Sequence, residues 1–151
     1  MKNRILSFVH WCHERIGEKM KKIRTLIAED DLTSRALLEA FLAPYGECIL
    51  AADGKEAVEA ARNARNNRES FDLICMDMRM PLMDGPEAIR EIRKHEAATG
   101  ALRPSKIIVT TAHSDINSIT SALLARCNSY LVKPIDTSKL LTELQTLGLV
   151  E

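Results

Sequence analysis

Aromatic residues make up only 4% of this 151-residue chain. A buried core must therefore be aliphatic, which fits Leu/Ile/Val/Ala-rich helices packed on a sheet. Charge of one sign is also missing. Lys+Arg and Asp+Glu each number 21, for a formal charge of zero, which argues against a dedicated nucleic-acid binder. No apolar run approaches a membrane span. Ile5 to Val9 is too short for a secretory h-region, and no small-residue cleavage site follows it. The four cysteines (Cys12, Cys48, Cys75, Cys127) are far apart and form no C-x-x-C pair, so a disulfide framework is not indicated. Cys48 and Cys75 fall in apolar runs, as small buried thiols do, and a reducing cytoplasm is the compartment that suits them. There is no glycine-rich phosphate loop, dinucleotide fingerprint, internal repeat or low-complexity tract.

What remains is an ordinary globular composition, 46% apolar and 28% charged, with length for one domain and a single core. The neutral total hides an asymmetry: residues 1–22 carry six Lys/Arg and two Glu, a net of +4, which leaves −4 for residues 23–151. Ile5, Val9, Cys12 and Ile16 recur at helical spacing, so residues 1–21 read as an amino-terminal extension with a short amphipathic helix. His10, Cys12 and His13 lie close together there but lack the pair spacing and fourth ligand of a zinc site. Met20, directly before Lys21-Lys22 and the first strand, is an alternative start. Residues 22–148 form the domain proper.

Apolar strand-like runs alternate with helical patterns five times. Strands are expected at 23–28, 48–51, 73–77, 106–110 and 130–132. Helices are expected at 33–43, 54–65, 87–97, from 114 or 115 to 125, and from a cap at Asp136 to about 147. Asp53 is a further N-cap, Pro86 sits near the third helix's first turn, where a missing N–H costs nothing, and 63–70 and 99–105 are loops. The central strands are near-continuous apolar runs, as expected when helices cover both faces. The fold class is therefore α/β, a doubly wound five-stranded parallel sheet with helices on both faces. Only four residues follow residue 147, so output is expected from this domain's own surface.

Each strand but the second ends in a polar signal: Glu29-Asp30-Asp31, Asp77, Thr110-Thr111 and Lys133-Pro134. In an open parallel sheet the carboxyl ends of the strands meet at one crevice. Carboxylates, a hydroxyl and an ammonium would converge there, a set suited to a divalent metal and a phosphoryl group. An aspartyl carboxylate can attack phosphorus, and Mg²⁺, a hard cation held by a few oxygens, can neutralise the anions that approach one another. Taken singly these signals are bland: a strand-end Asp is usually a cap, Glu29-Asp30 could cap a helix, and Lys133 could be a solvated lysine.

Together, Leu26-Ile27-Ala28-Glu29-Asp30-Asp31, Met76 to Gly85, Thr110-Thr111-Ala112 and Tyr130 to Ile135 closely resemble the receiver domain of two-component response regulators, with its CheY-like, flavodoxin-like fold. The resemblance implies that Asp77 is the phosphoacceptor. Glu29, Asp30, Asp77 and the backbone carbonyl of Arg79 would bind Mg²⁺, with Asp31 left to a loop or cap. Lys133 would pair with Asp77 before transfer and with a phosphoryl oxygen afterwards; the family also has a cis peptide at this Lys-Pro step. Thr111 would hydrogen-bond the phosphoryl group, and Tyr130 would be the switch aromatic, unless it is simply core. Arg79 and His113 fall where the family tunes phosphoryl lifetime. The implied protein is a cytoplasmic, stand-alone signalling domain that catalyses only its own phosphorylation and dephosphorylation. Its partners would be a sensor histidine kinase or phosphotransfer protein and an unidentified downstream protein, with no nucleic acid and no membrane span. A homodimer through helix 4, strand 5 and helix 5 would use the family's output surface.

Two other classes compete. A haloacid-dehalogenase-type phosphatase also uses a strand-end Asp and Mg²⁺, but needs a second Asp where this chain has Arg79. A binding-only pseudo-receiver would lack the acceptor, the acidic pair or the lysine, and all are present. Two departures from the family pattern stand out. Ala125-Arg126-Cys127-Asn128-Ser129 puts a bulky residue where small ones and glycine are usual, and the 99–105 loop is somewhat long.

Overall fold

In the computed structural model, residues 21–112 and 116–151 are described. The first apolar run forms β1 (Ile23–Ala28), followed by α1 (Leu32–Leu42), β2 (Gly46–Ala51), α2 (Gly54–Asn66) and β3 (Leu73–Asp77). Then come α3 (Gly85–Ala98), β4 (Lys106–Thr111), α4 (Ile116–Leu124), β5 (Ser129–Val132) and α5 (Thr137–Thr146). The expectations for the amino-terminal helix, the His10/Cys12/His13 group, the start at Met20, His113 and the beginning of the fourth helix lie outside the described residues.

All neighbouring strands pair in parallel, in the order β2-β1-β3-β4-β5. The chain steps outward from β1 to β2 and then back past it to β3, so the topological switch point lies between β1 and β3. Alternate side chains of these strands feed two aliphatic cores. Leu26, Ile74, Met76, Ile107 and Val109 pack with α2, α3 and α4 on one face. Ile23, Ile27, Cys75, Ile108 and Leu131 pack with α1 and α5 on the other. The central strands are buried on both faces, whereas edge strands β2 and β5 are partly exposed. This is the doubly wound architecture expected from the sequence. No helix among the described residues is long and apolar enough to cross a membrane.

Helix starts follow local chemistry. Asp31, Asp53, Asp84 and Asp136 each accept a hydrogen bond from a backbone N–H of the first turn that follows, those of Ser34, Glu56, Glu87 and Ser138, which satisfies donors that the helix cannot. The third helix begins at Gly85, two residues earlier than periodicity indicated, because Asp84 is its cap. Strand β2 begins at Gly46 rather than Cys48, since Gly46 and Glu47 pair with Ile23 and Arg24. A short 3₁₀ turn, Ala43–Tyr45, precedes it. Helix α2 runs to Asn66, into the expected loop.

Candidate active site

Strands β1 and β3 deliver carboxylates to the switch point. Glu29 directly follows β1, is fully buried, and donates its backbone N–H to the Ala51 carbonyl at 3.1 Å. Asp77 is the last residue of β3, paired in register with Thr110 and 5% exposed. The Met78 N–H continues that pairing with a 2.9 Å hydrogen bond to the Thr110 carbonyl. Asp30 is exposed at the rim. One carboxylate oxygen from each of Glu29, Asp30 and Asp77 lies within 4.8 Å of the others.

Among the described residues, a single ammonium faces this trio. Lys133 follows β5, and its backbone N–H donates to the Thr111 carbonyl at 2.7 Å. Its Nζ lies 2.8 Å from Glu29 Oε2 and 3.3 Å from Asp77 Oδ1. The lysine is thus shared between the two buried acids and sits nearer Glu29, which sequence reasoning did not anticipate. The Lys133-Pro134 peptide is cis.

Burial, and next the negative charge of Glu29, push the Asp77 carboxyl from 3.8 up to about 7, with Lys133 opposing the rise. Burial alone would lower the Lys133 pKa, but its pairing with Glu29 and Asp77 outweighs that, and the net shift is upward. Once Asp77 is ionised, three carboxylates against one ammonium leave an excess of two negative charges in a partly desolvated site. Oxygen donors with that excess fit a hard divalent cation.

Close packing beside Asp77 comes from a glycine. A Cβ on Gly85 would lie 2.4 Å from the Asp77 carbonyl oxygen, so only glycine lets α3 start this close to the end of β3. Gly85 also donates its N–H to the Met78 carbonyl at 3.0 Å. The Asp84-Gly85 pair was legible as part of a motif, but its role in holding Asp77 required the contact itself.

The remaining candidates fall around this centre. Thr111 ends β4 and is buried, at the same register position as Val132 of β5. Arg79 is exposed, two residues past Asp77. Tyr130 is 39% exposed on β5, which removes the reading that it is a core residue. Asp31 is the α1 cap expected of it, and its carboxyl is held below the usual range first by the Ser34 N–H.

The family model for the response regulator receiver domain matches residues 25–145. This chain belongs to the receiver domain family. As a receiver it is a phosphoacceptor module of two-component signalling. It is similar to hybrid signal transduction histidine kinase I of Dictyostelium discoideum, with 34% identity over 84% of this chain and 7% of the kinase. The receiver domain thus spans a small part of the curated relatives it matches. Among solved structures, it is similar to the receiver domain of a Pseudomonas aeruginosa sensor histidine kinase, crystallised with magnesium in its active-site cleft. That match has 34% identity and a TM-score of 0.72, covering 84% of this chain and 98% of the other. It is also similar to the Saccharomyces cerevisiae receiver domain of Ssk1, solved with the phosphotransfer protein Ypd1. There the identity is 31% and the TM-score 0.75, over 87% of this receiver and 92% of the matched chain.

Proposed function

We propose that Asp77 accepts a phosphoryl group from a histidine kinase or phosphotransfer protein and that the receiver then signals through phosphorylation-dependent protein contacts. The observation that carries this reading is the buried Asp77 carboxylate with Glu29 and Asp30 within 4.8 Å and Lys133 Nζ 3.3 Å away. In the transfer, an Asp77 oxygen forms a bond to phosphorus while the donor's nitrogen–phosphorus bond breaks and the imidazole leaves. The product is an acyl phosphate on this chain.

Glu29, Asp30, Asp77 and the Arg79 carbonyl would hold Mg²⁺. When bound, the ion neutralises charge between the carboxylates and the incoming phosphoryl oxygens. Lys133 holds the Asp77 carboxylate beforehand and can pass to a phosphoryl oxygen afterwards, an exchange suited to a point ammonium on a flexible stem. Thr111 supplies a hydroxyl to the phosphoryl group. Tyr130, partly exposed on β5, is free to turn inward as the switch aromatic, with readout on the α4–β5–α5 face, which could also support a homodimer. Arg79 and His113 tune phosphoryl lifetime. The remaining parts of the proposal are a stand-alone cytoplasmic receiver over residues 22–148, a separate extension at 1–21, and catalysis limited to the protein's own phosphorylation and dephosphorylation.

A dehalogenase-type phosphatase is disfavoured because position 79 offers a guanidinium rather than a general acid. The test is incubation with a small phosphodonor and Mg²⁺ followed by intact mass. The parent should gain one phosphoryl adduct and Asp77→Asn none. An adduct on the Asn variant, or none on the parent with an active donor, defeats the proposal.

A further inference from the structure

The two departures from the family pattern, the 99–105 loop and the Arg126 turn, meet in one place. Between them, at the amino-terminal ends of β4 and β5, lies an open groove of about 470 Å³, within the range of small-ligand sites. It is at the opposite end of the sheet from Asp77. Ala101 and Pro104 of the loop form an apolar wall, and Lys106, Arg126 and Asn128 supply polar groups.

The floor is tied together by hydrogen bonds from Arg93. Arg93 is pinned by Glu96 Oε2 at 2.7 Å, the Ser105 carbonyl at 2.8 Å, Asn128 Oδ1 at 3.1 Å and the Arg126 carbonyl at 3.1 Å. Glu96 therefore has its counter-charge, and a second guanidinium, Arg65, stands 3.7 Å away. Above this floor the side chains of Lys106 and Arg126 have no hydrogen bond or ion pair among the described residues. Counting the described residues, the groove carries two positive charges without an ion-pair partner.

Arg126 adopts φ +71°, a left-handed conformation that favours glycine. Capping α4 does not require its side chain, because the last carbonyls there are met by backbone. The Arg126 N–H donates to Leu123 at 2.9 Å and the Cys127 N–H to Ala122 at 3.2 Å. Arg126 thus combines a strained backbone, anchored by Arg93, with an exposed guanidinium that has no ion-pair partner among the described residues, and it is open to a ligand.

We propose that this groove binds a small dianion, a phosphate monoester with a compact apolar body. The guanidinium of Arg126 would take two oxygens and the Lys106 ammonium would compensate the second charge, with the body of the ligand against Ala101 and Pro104. Such a ligand would bear on the starting ends of β4 and β5, the strands whose far ends lead to Thr111 and Lys133. The site is separate from the phosphoacceptor and does not depend on it.

The test is amide chemical-shift titration of the full chain carrying Asp77→Asn, in chelator, with phenyl phosphate as probe and phenol and inorganic phosphate as controls. Removing Asp77 and the metal keeps the response from arising at the phosphoacceptor. Saturable shifts at Lys106, Cys127 and Asn128 are expected with phenyl phosphate, weaker ones with inorganic phosphate and none with phenol. Lys106→Gln and Arg126→Gln should each weaken binding at least tenfold. Arg126→Gly should raise the melting temperature by a few degrees, by relieving the left-handed backbone, while abolishing the response. Shifts that do not saturate, that persist in both Gln variants, or that survive Arg126→Gly overturn the proposal.

Discussion

At Asp77, burial and the negative charge of Glu29 push the same way, and the Lys133 ammonium offsets them only in part. In the folded, metal-free protein its carboxyl holds a proton up to about pH 7, against an ordinary value of 3.8. Between those values the native state binds more protons than the unfolded chain, so stability falls as pH rises across that window, and below it the contribution is constant. Urea unfolding in chelator should therefore show the parent losing on the order of 4 kcal/mol more than Asp77→Asn between pH 4 and 8. Parallel pH profiles for the two proteins would refute this. Lys133 limits the same penalty from the other side. Among the described residues, Lys133→Met removes the only cation ion-paired with the Glu29 and Asp77 carboxylates. Phosphoryl uptake should slow on the order of 10²-fold, while calorimetry should find Mg²⁺ bound at least as tightly, because three carboxylates then stand uncompensated. Weakened uptake together with weakened metal binding would instead mean that the lysine holds the site's shape.

At the scale of elements, acids at strand ends divide into two kinds that look alike in sequence. Asp31, Asp53, Asp84 and Asp136 are spent on helix N-caps, whereas Glu29, Asp30 and Asp77 converge on one another. Asp84→Ala should cost about 1 kcal/mol through the lost cap. Gly85→Ala should cost more and also slow phosphorylation, since its Cβ would meet the Asp77 carbonyl at 2.4 Å and push the acceptor strand end away. Thermal unfolding and adduct formation measured on both variants separate the two effects. If Gly85→Ala leaves uptake intact, the approach of α3 to β3 does not position the acceptor. Element types and approximate bounds were legible because apolar period and Asp, Pro and Gly punctuation are local. The early starts of β2 and α3 were not, since one depends on pairing with β1 and the other on which of several acids takes the cap.

For the whole molecule, stability and site occupancy are one equilibrium. A cation that binds only the folded trio stabilises it by about 2.7 kcal/mol at a hundredfold excess over its dissociation constant. Mg²⁺ should raise the melting temperature of the parent at pH 8, where Asp77 is ionised, and raise that of Asp30→Asn less. An equal rise in both would mean that the ion is held elsewhere. The two cores on either side of the sheet make this coupling possible, because they fix β1, β3 and β4 relative to one another before any ligand arrives.

By itself, the sequence determined the alternation of strands and helices, the aliphatic character of both cores, and the polar signals at four strand ends that together resemble a receiver. Those features follow from periodicities of two and 3.6 residues and from turn chemistry, all of which act over a few neighbours. Only the tertiary structure decided that Lys133 is shared between Glu29 and Asp77, that Gly85 lies against the acceptor's carbonyl, and that Arg126 meets the 99–105 loop in a groove. Each of these depends on strand order and register between segments distant in the chain, where pairing is set by the global burial of both sheet faces rather than by any local pattern.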